Sequence, residues 1–209
     1  WAQVNLWMLR KLCGLDFVIE GLEHVPARPC VLYWKHESVW ETMAGALALP
    51  PQTWVVKREL MWLPFFGWGL ALLKPIAINR AAGRTAVKQV IAQGQERLAQ
   101  GLCVVIYPEG TRVLPGQARR FGVSGAALAK AAGCPILPVA HNAGDFWPRR
   151  SLLKRPGTIR VVVGPPIEPE GLTPDQITTR GRDWIHAATA RISPDRPVPQ
   201  PTPRRAARA

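Results

Sequence analysis

Residues 102–112 read LCVVIYPEGTR. Leu102 to Tyr107 is a run of six apolar residues without alternation, the length of a strand and short for a helix. A strand apolar on both sides is covered on both faces, as in a sheet held between layers of helices. Pro108 cannot continue the ladder, and Gly110 gives the chain freedom to turn. The stretch therefore reads as a buried strand that delivers a turn carrying Glu109 and Arg112 to its carboxyl end.

On either side, similar short runs recur at Asp16–Glu20, Cys30–Trp34, Thr53–Lys57, Ile76–Ile78, Pro135–His141 and Thr158–Val163. Helical patterns fall at Val39–Leu49, Gly83–Gln100, Val123–Ala132 and Pro174–Arg191. Gly133 stops the third of these. Thr173 and Gln176 form a T-x-x-Q capping box around Pro174 and mark the start of the fourth. Strands alternating with helices predict an α/β fold, a mixed and largely parallel β-sheet flanked by helices.

The chain has 209 residues and 47% hydrophobic content, enough for one substantial core. Three parts are expected: an apolar helix over residues 1–14, the α/β domain over 15–192, and a disordered basic tail over 193–209. The tail is rich in Pro and Arg and too poor in apolar residues to fold by itself. Twelve helical residues at the front reach only ~18 Å against a hydrocarbon core of ~30 Å. That helix would associate with a membrane without crossing it, and with no initiator Met at Trp1 its upstream part is expected to be missing. Leu60–Leu73 (LMWLPFFGWGLALL) has no charge, is broken by Pro64, Gly67 and Gly69, and is flanked by Lys57, Arg58 and Lys74. It reads as a helical element that is either interfacial or buried in the core.

Lys and Arg outnumber Asp and Glu 27 to 14, for a net charge of +13, so an anionic partner is expected. Nine Trp against two Tyr tilt that expectation towards an anionic membrane surface over nucleic acid. A nucleic-acid module would need a readout helix or a stacking platform, and neither is visible. The four cysteines show no metal-ligand spacing and read as buried thiols in a reducing compartment.

His36 follows the run Cys30–Trp34 and precedes the helix near Val39, which places it at a strand's carboxyl end, where α/β sheets build sites. Glu41, in the first helical turn, could fold back to the imidazole and tune it as a base. Ser38 to Glu41 also fits an S-x-x-E capping box, in which Glu41 only satisfies backbone N–H groups. Arg112 suits bidentate phosphate recognition, with Glu109 placed to orient it or a substrate hydroxyl; a plain surface turn is the alternative. Gly122 to Ala126 fails G-x-S-x-G at its last position, so a serine nucleophile is disfavoured.

Four blocks together resemble the 1-acylglycerol-3-phosphate acyltransferases within the wider glycerolipid acyltransferases. They are His36 to Glu41 for H-x-x-x-x-D; Lys57-Arg58-Glu59-Leu60 through Pro64 and Gly67 to Asn79-Arg80; Tyr107 to Arg112 for F-P-E-G-T-R; and Ile136-Leu137-Pro138-Val139. Glu41 stands in place of the usual Asp, and Asn79 where Asp is frequent. The resemblance implies the glycerolipid acyltransferase fold and transfer of a fatty acyl group from acyl-CoA or acyl carrier protein to lysophosphatidic acid. It implies His36 and Glu41 as the catalytic pair, with Lys57, Arg80, Glu109, Gly110, Thr111 and Arg112 around the substrate. It implies no cofactor or metal, and a place at the cytoplasmic face of the cell membrane. Another lyso-lipid acceptor, such as a lyso-ornithine lipid, is the alternative within the same chemistry.

Overall fold

The structure is a computed structural model that describes residues 1–196 and 200–201. Its strands are β1 (Leu15–Glu20), β2 (Val31–Trp34), β3 (Gln52–Lys57), β4 (Ile76–Ile78), β5 (Cys103–Ile106), β6 (Gln117–Ala118), β7 (Ile136–His141), β8 (Gly157–Val163) and β9 (Gln200–Pro201). Its helices are α1 (Ala2–Cys13), α2 (Trp40–Ala48), α3 (Phe66–Ala71), α4 (Arg84–Ala99), α5 (Ser124–Ala132), α6 (Ala143–Phe146) and α7 (Pro174–Ile192). All seven expected strands form, within a residue or two at each end.

They build one sheet in the order β1-β8-β7-β2-β5-β3-β4, while β6 and β9 pair separately. The five strands from β7 to β4 run parallel, and β8 and β1 run against them. The carboxyl ends of β2, β5, β3, β4 and β7 therefore open together, and the chain enters β1 from α1 at that same end.

Alternate strand residues face opposite layers. Val31, Tyr33, Val104, Ile106 and Ile136 pack with α4, α5 and α7, whereas Leu32, Trp34, Val105, Leu137 and Val139 pack with α1 and α2. Both sets are buried, which is why the sequence runs are apolar without alternation. Tyr33 is the wedge of the first layer, meeting α5 at Gly125 and α7 at Gly181. A methyl at Gly94 of α4 would lie 2.5 Å from Leu128 of α5, so a side chain there would force Leu128 to move.

Leu60–Leu73 is not one helix and does not enter the core. A 3-10 turn at Arg58–Trp62 and the six-residue α3 replace it, joined through Phe65 at φ 60°. Trp62, Phe65, Phe66, Trp68 and Leu72 are 57–84% exposed. Pro64 at the end of the first turn forbids a continuous helix. The basic tail also departs from expectation at its start. Ser193–Arg196 folds back onto the domain, because Arg196 finds buried carboxylates there. Residues 197–199 and 202–209 lie outside the described residues.

Candidate active site

β2 ends at Trp34, α2 begins at Trp40, and His36 lies in the loop between them. Glu41 folds back from the first turn of α2, and its Oε1 lies 2.7 Å from His36 Nδ1. The same carboxylate accepts the Glu37 N–H at 3.1 Å and the Ser38 N–H at 3.0 Å. The capping reading and the imidazole reading thus hold at once. The carboxylate shapes the loop that positions the ring it contacts. With Nδ1–H donating to Glu41, Nε2 keeps its lone pair. The imidazole stays 14% exposed and Glu41 is fully enclosed, so the ring is the member of the pair that reaches the surface. Tyr107 stacks on the imidazole, centroids 3.9 Å apart.

The turn after β5 is fastened to residue 36 on both sides. The His36 N–H donates to Glu109 Oε2 at 3.2 Å, and the His36 carbonyl accepts from the Val113 N–H at 2.8 Å. Gly110, at φ 70°, turns the chain with its N–H on the Tyr107 carbonyl at 2.9 Å. Thr111 and Arg112 follow half-buried, and the Arg112 carbonyl accepts from Arg149 Nη1 at 2.6 Å. His36 and Glu41 are therefore joined through the His36 backbone to the turn that carries Glu109, Gly110, Thr111 and Arg112.

Lys57 ends the strand next to the turn's own, because β3 pairs with β5, but Lys57 and Arg80 both stand away from the His36 loop. Lys57 ends β3, two strands from β2, and Arg80 follows β4, three strands away. At the usual strand spacing these are lateral offsets of roughly 10 and 14 Å. Lys57 is exposed beside Glu59 at 3.7 Å. Asn79, placed where Asp is frequent, acts locally. Its Oδ1 accepts from the Ala81 N–H at 3.0 Å and caps the turn that begins at Arg80.

Behind the Glu109 turn lies a buried charge network that sequence reading missed. Lys35 Nζ is 3.1 Å from Glu37 Oε1 and 3.6 Å from Glu109 Oε1. Arg196 grips Glu37 with two bonds of 2.8 and 2.9 Å and reaches Asp145 at 2.7 Å. Burial pushes the Glu109 carboxyl up to about 7, with Glu37 adding to the rise and Lys35 opposing it. Burial would also raise Glu37, but Lys35 and Arg196 hold it below the usual range. Glu109 Oε1 has no hydrogen-bond partner among the described residues.

His141 ends β7 directly beneath. Its Nδ1 accepts the Ala143 N–H at 3.1 Å, so Nε2 carries the hydrogen and donates to the Lys35 carbonyl at 2.8 Å. Burial keeps it below the ordinary histidine range, against the pull of Glu41 and Glu37. Its place after an apolar strand was a signal as good as that of His36. Arg196 gave none, since nothing in a Pro- and Arg-rich segment says which arginine is bound.

Tyr107 and Gly110 also border a cavity of about 250 Å³ on the α4 and α5 side. Its wall is mainly apolar, from Val55, Ile78, Ala86, Val90 and Ile106. An apolar cleft thus opens beside the imidazole's stacking partner. Among the described residues no group of His, Cys, Asp and Glu is placed to hold a metal ion.

A sheet open at its parallel carboxyl ends, with a carboxylate-held imidazole over a P-E-G-T-R turn, defines a class, and similarity to known proteins agrees. The chain belongs to the Acyltransferase family, whose model matches residues 16–142. A step closer, it is 46% identical over 197 residues to the 1-acyl-sn-glycerol-3-phosphate acyltransferase of Pseudomonas aeruginosa, covering 93% of this chain and 77% of that one. It is 30% identical over 178 residues to the human 1-acyl-sn-glycerol-3-phosphate acyltransferase alpha, covering 84% of this chain and 63% of the human protein, just under two thirds of its length. In fold it is similar to the crystal structure of the 1-acyl-sn-glycerophosphate acyltransferase PlsC from Thermotoga maritima. That likeness has a TM-score of 0.77 at 22% identity, over 92% of this chain and 76% of that one.

Proposed function

We propose that the protein acylates the sn-2 hydroxyl of 1-acylglycerol-3-phosphate, taking the acyl group from acyl-CoA or acyl carrier protein and forming phosphatidic acid. The observation that carries this reading is the 2.7 Å contact between His36 Nδ1 and Glu41, which leaves Nε2 free to accept a proton beside the Glu109 turn. The glycerol hydroxyl gives its proton to Nε2 as its oxygen attacks the thioester carbonyl. Collapse of the tetrahedral adduct breaks the carbon–sulfur bond, and the departing thiolate takes the proton back from the imidazolium. No acyl-enzyme forms. Glu41 opposes the charge that builds on the ring.

Arg112 is the proposed phosphate contact, with Lys57 and Arg80 as outer cations drawing the anionic headgroup towards the site. Glu109, Gly110 and Thr111 shape the glycerol position. The apolar cavity beside Tyr107 suits a length of acyl chain.

We place this chemistry at the surface of an anionic membrane, on its cytoplasmic face. Three exposed apolar sets support that reading: Trp1, Trp7 and Leu12 of α1, the β3–β4 connection around Trp68, and Leu152 and Leu153 between β7 and β8. The last pair lies at the end of the sheet where His36 sits, since β7 ends and β8 begins there, and Arg149, Arg150, Lys154 and Arg155 flank it in sequence. Among the described residues no helix is long and apolar enough to cross a membrane.

The test is a purified assay with acyl-CoA and acyl carrier protein thioesters against a panel of lyso-lipids. Phosphatidic acid formation is expected, and His36→Ala should lower kcat at least ~100-fold. A variant within tenfold of wild type would remove His36 from the mechanism. Arg112→Ala is expected to raise the lysophosphatidate KM far more than the donor KM, and equal effects would argue against a phosphate contact.

A further inference from the structure

We infer that Arg196 is a positioning residue of this site: by sharing the Glu37 carboxylate with Lys35, it supplies the second positive charge that the two buried acids need and so keeps the 109–112 turn drawn to the backbone of His36. This rests on the reading of His36 as the base.

Glu37 and Glu109 are both enclosed, with side chains 1% exposed, and Lys35 reaches both. One ammonium cannot balance two buried carboxylates, and an unbalanced buried charge is not tolerated cheaply. The second cation arrives from beyond α7. Arg196 meets both oxygens of Glu37 in parallel, the geometry in which arginine binds a carboxylate best. Asp145 fixes the approach, accepting from Arg196 Nε at 2.7 Å and from the Ser193 hydroxyl at 2.7 Å. The guanidinium is only 10% exposed, so this is a seated contact and not a surface pairing.

The groups around Glu109 come from every neighbouring element. Lys35, His36, Glu37 and Glu41 follow β2, and Tyr107 and Arg112 share its own turn. His141 ends β7, Asp145 belongs to α6, and His186 of α7 lies close enough to Lys35 to feel its charge. Of these, Lys35 and Arg196 are the cations that meet the two buried acids. Without Arg196, Glu37 would keep Lys35 as its one counter-charge among these cations, and its negative field on Glu109 would rise. Glu109 would then hold its proton to higher pH, and its bond to the His36 N–H would lose its charge-assisted character.

The experiment compares kcat/KM against pH, with thermal stability, for wild type, Arg196→Ala, Arg196→Lys and the pair Glu37→Gln with Arg196→Ala. Protonation of Glu109, which burial raises to about 7, should contribute to the wild-type acid limb. In Arg196→Ala the limb should move up by about one pH unit, so that activity falls about tenfold near pH ~6.5 and less than about threefold near pH ~9. Arg196→Lys should move it part of the way. The double variant should return it, because the extra carboxylate charge and its counter-charge leave together. An unmoved limb, an equal loss at all pH values, or a double variant no better than the single would overturn the inference. Should Arg196→Ala prove too unstable to assay, the lysine and double variants decide it by the same criterion. A wild type without activity would instead sink the function proposed above.

Discussion

Among single residues, Glu41 joins two roles that are usually separate. One carboxylate orients an imidazole and satisfies the N–H groups of Glu37 and Ser38. Glu41→Ala should therefore lower kcat about 100-fold and also cost several kcal/mol of stability, since buried N–H groups lose their acceptor. Denaturant unfolding beside the assay separates the two losses, and a catalytic loss with unchanged stability would contradict the capping role. Glu109 makes a different prediction, with the opposite sign to a carboxylate held ionised by a salt bridge. Its folded value of about 7 exceeds the ordinary 4.5. Its contribution to stability is complete below the ordinary value and is lost as pH rises through the folded one. Glu109→Gln should thus melt higher than wild type near pH ~8 but not near pH ~5, while losing activity. A melting difference that ignores pH would exclude the carboxyl as its source. Glu37 runs the other way: the stability it gains from Lys35 and Arg196 is present above the ordinary carboxyl value and is lost on acidification below it.

Elements show what a sequence can and cannot reveal. Strands covered on both faces read as continuous apolar runs, so β2, β5 and β7 were legible, and with them the loop that carries His36. The T-x-x-Q box at α7 forms as expected, with Thr173 Oγ1 accepting the Gln176 N–H at 3.2 Å. Thr173→Ala should cost about 1 kcal/mol in chemical denaturation, and no change would mean that the α7 packing alone sets that end. The β3–β4 connection was ambiguous because an uncharged, Trp-rich segment suits both a core and an interface. Exposure decides between them here. The charge network was not legible, since Lys35, Glu37, Asp145 and Arg196 come together only through the ends of β2, β7 and α7. No local pattern encodes that meeting.

Across the molecule, the sheet's polarity sets orientation. The site lies at the shared carboxyl ends, where the β7–β8 loop also presents the exposed Leu152 and Leu153. Replacing Phe65 and Trp68 by Ser should weaken binding to anionic vesicles about 100-fold or more, since each removes an aromatic whose burial in the bilayer is worth roughly 1.5–3 kcal/mol. Cosedimentation checks this, and unchanged binding would take that connection off the bilayer. The pairing of Glu37 with Arg196 spans 159 residues of chain. During synthesis His36 is made long before the cation that balances its neighbours, which follows α7. A growing chain can thus gather its sheet while the surroundings of His36 are still electrically unfinished, until α7 has cleared the ribosome and swung that arginine home.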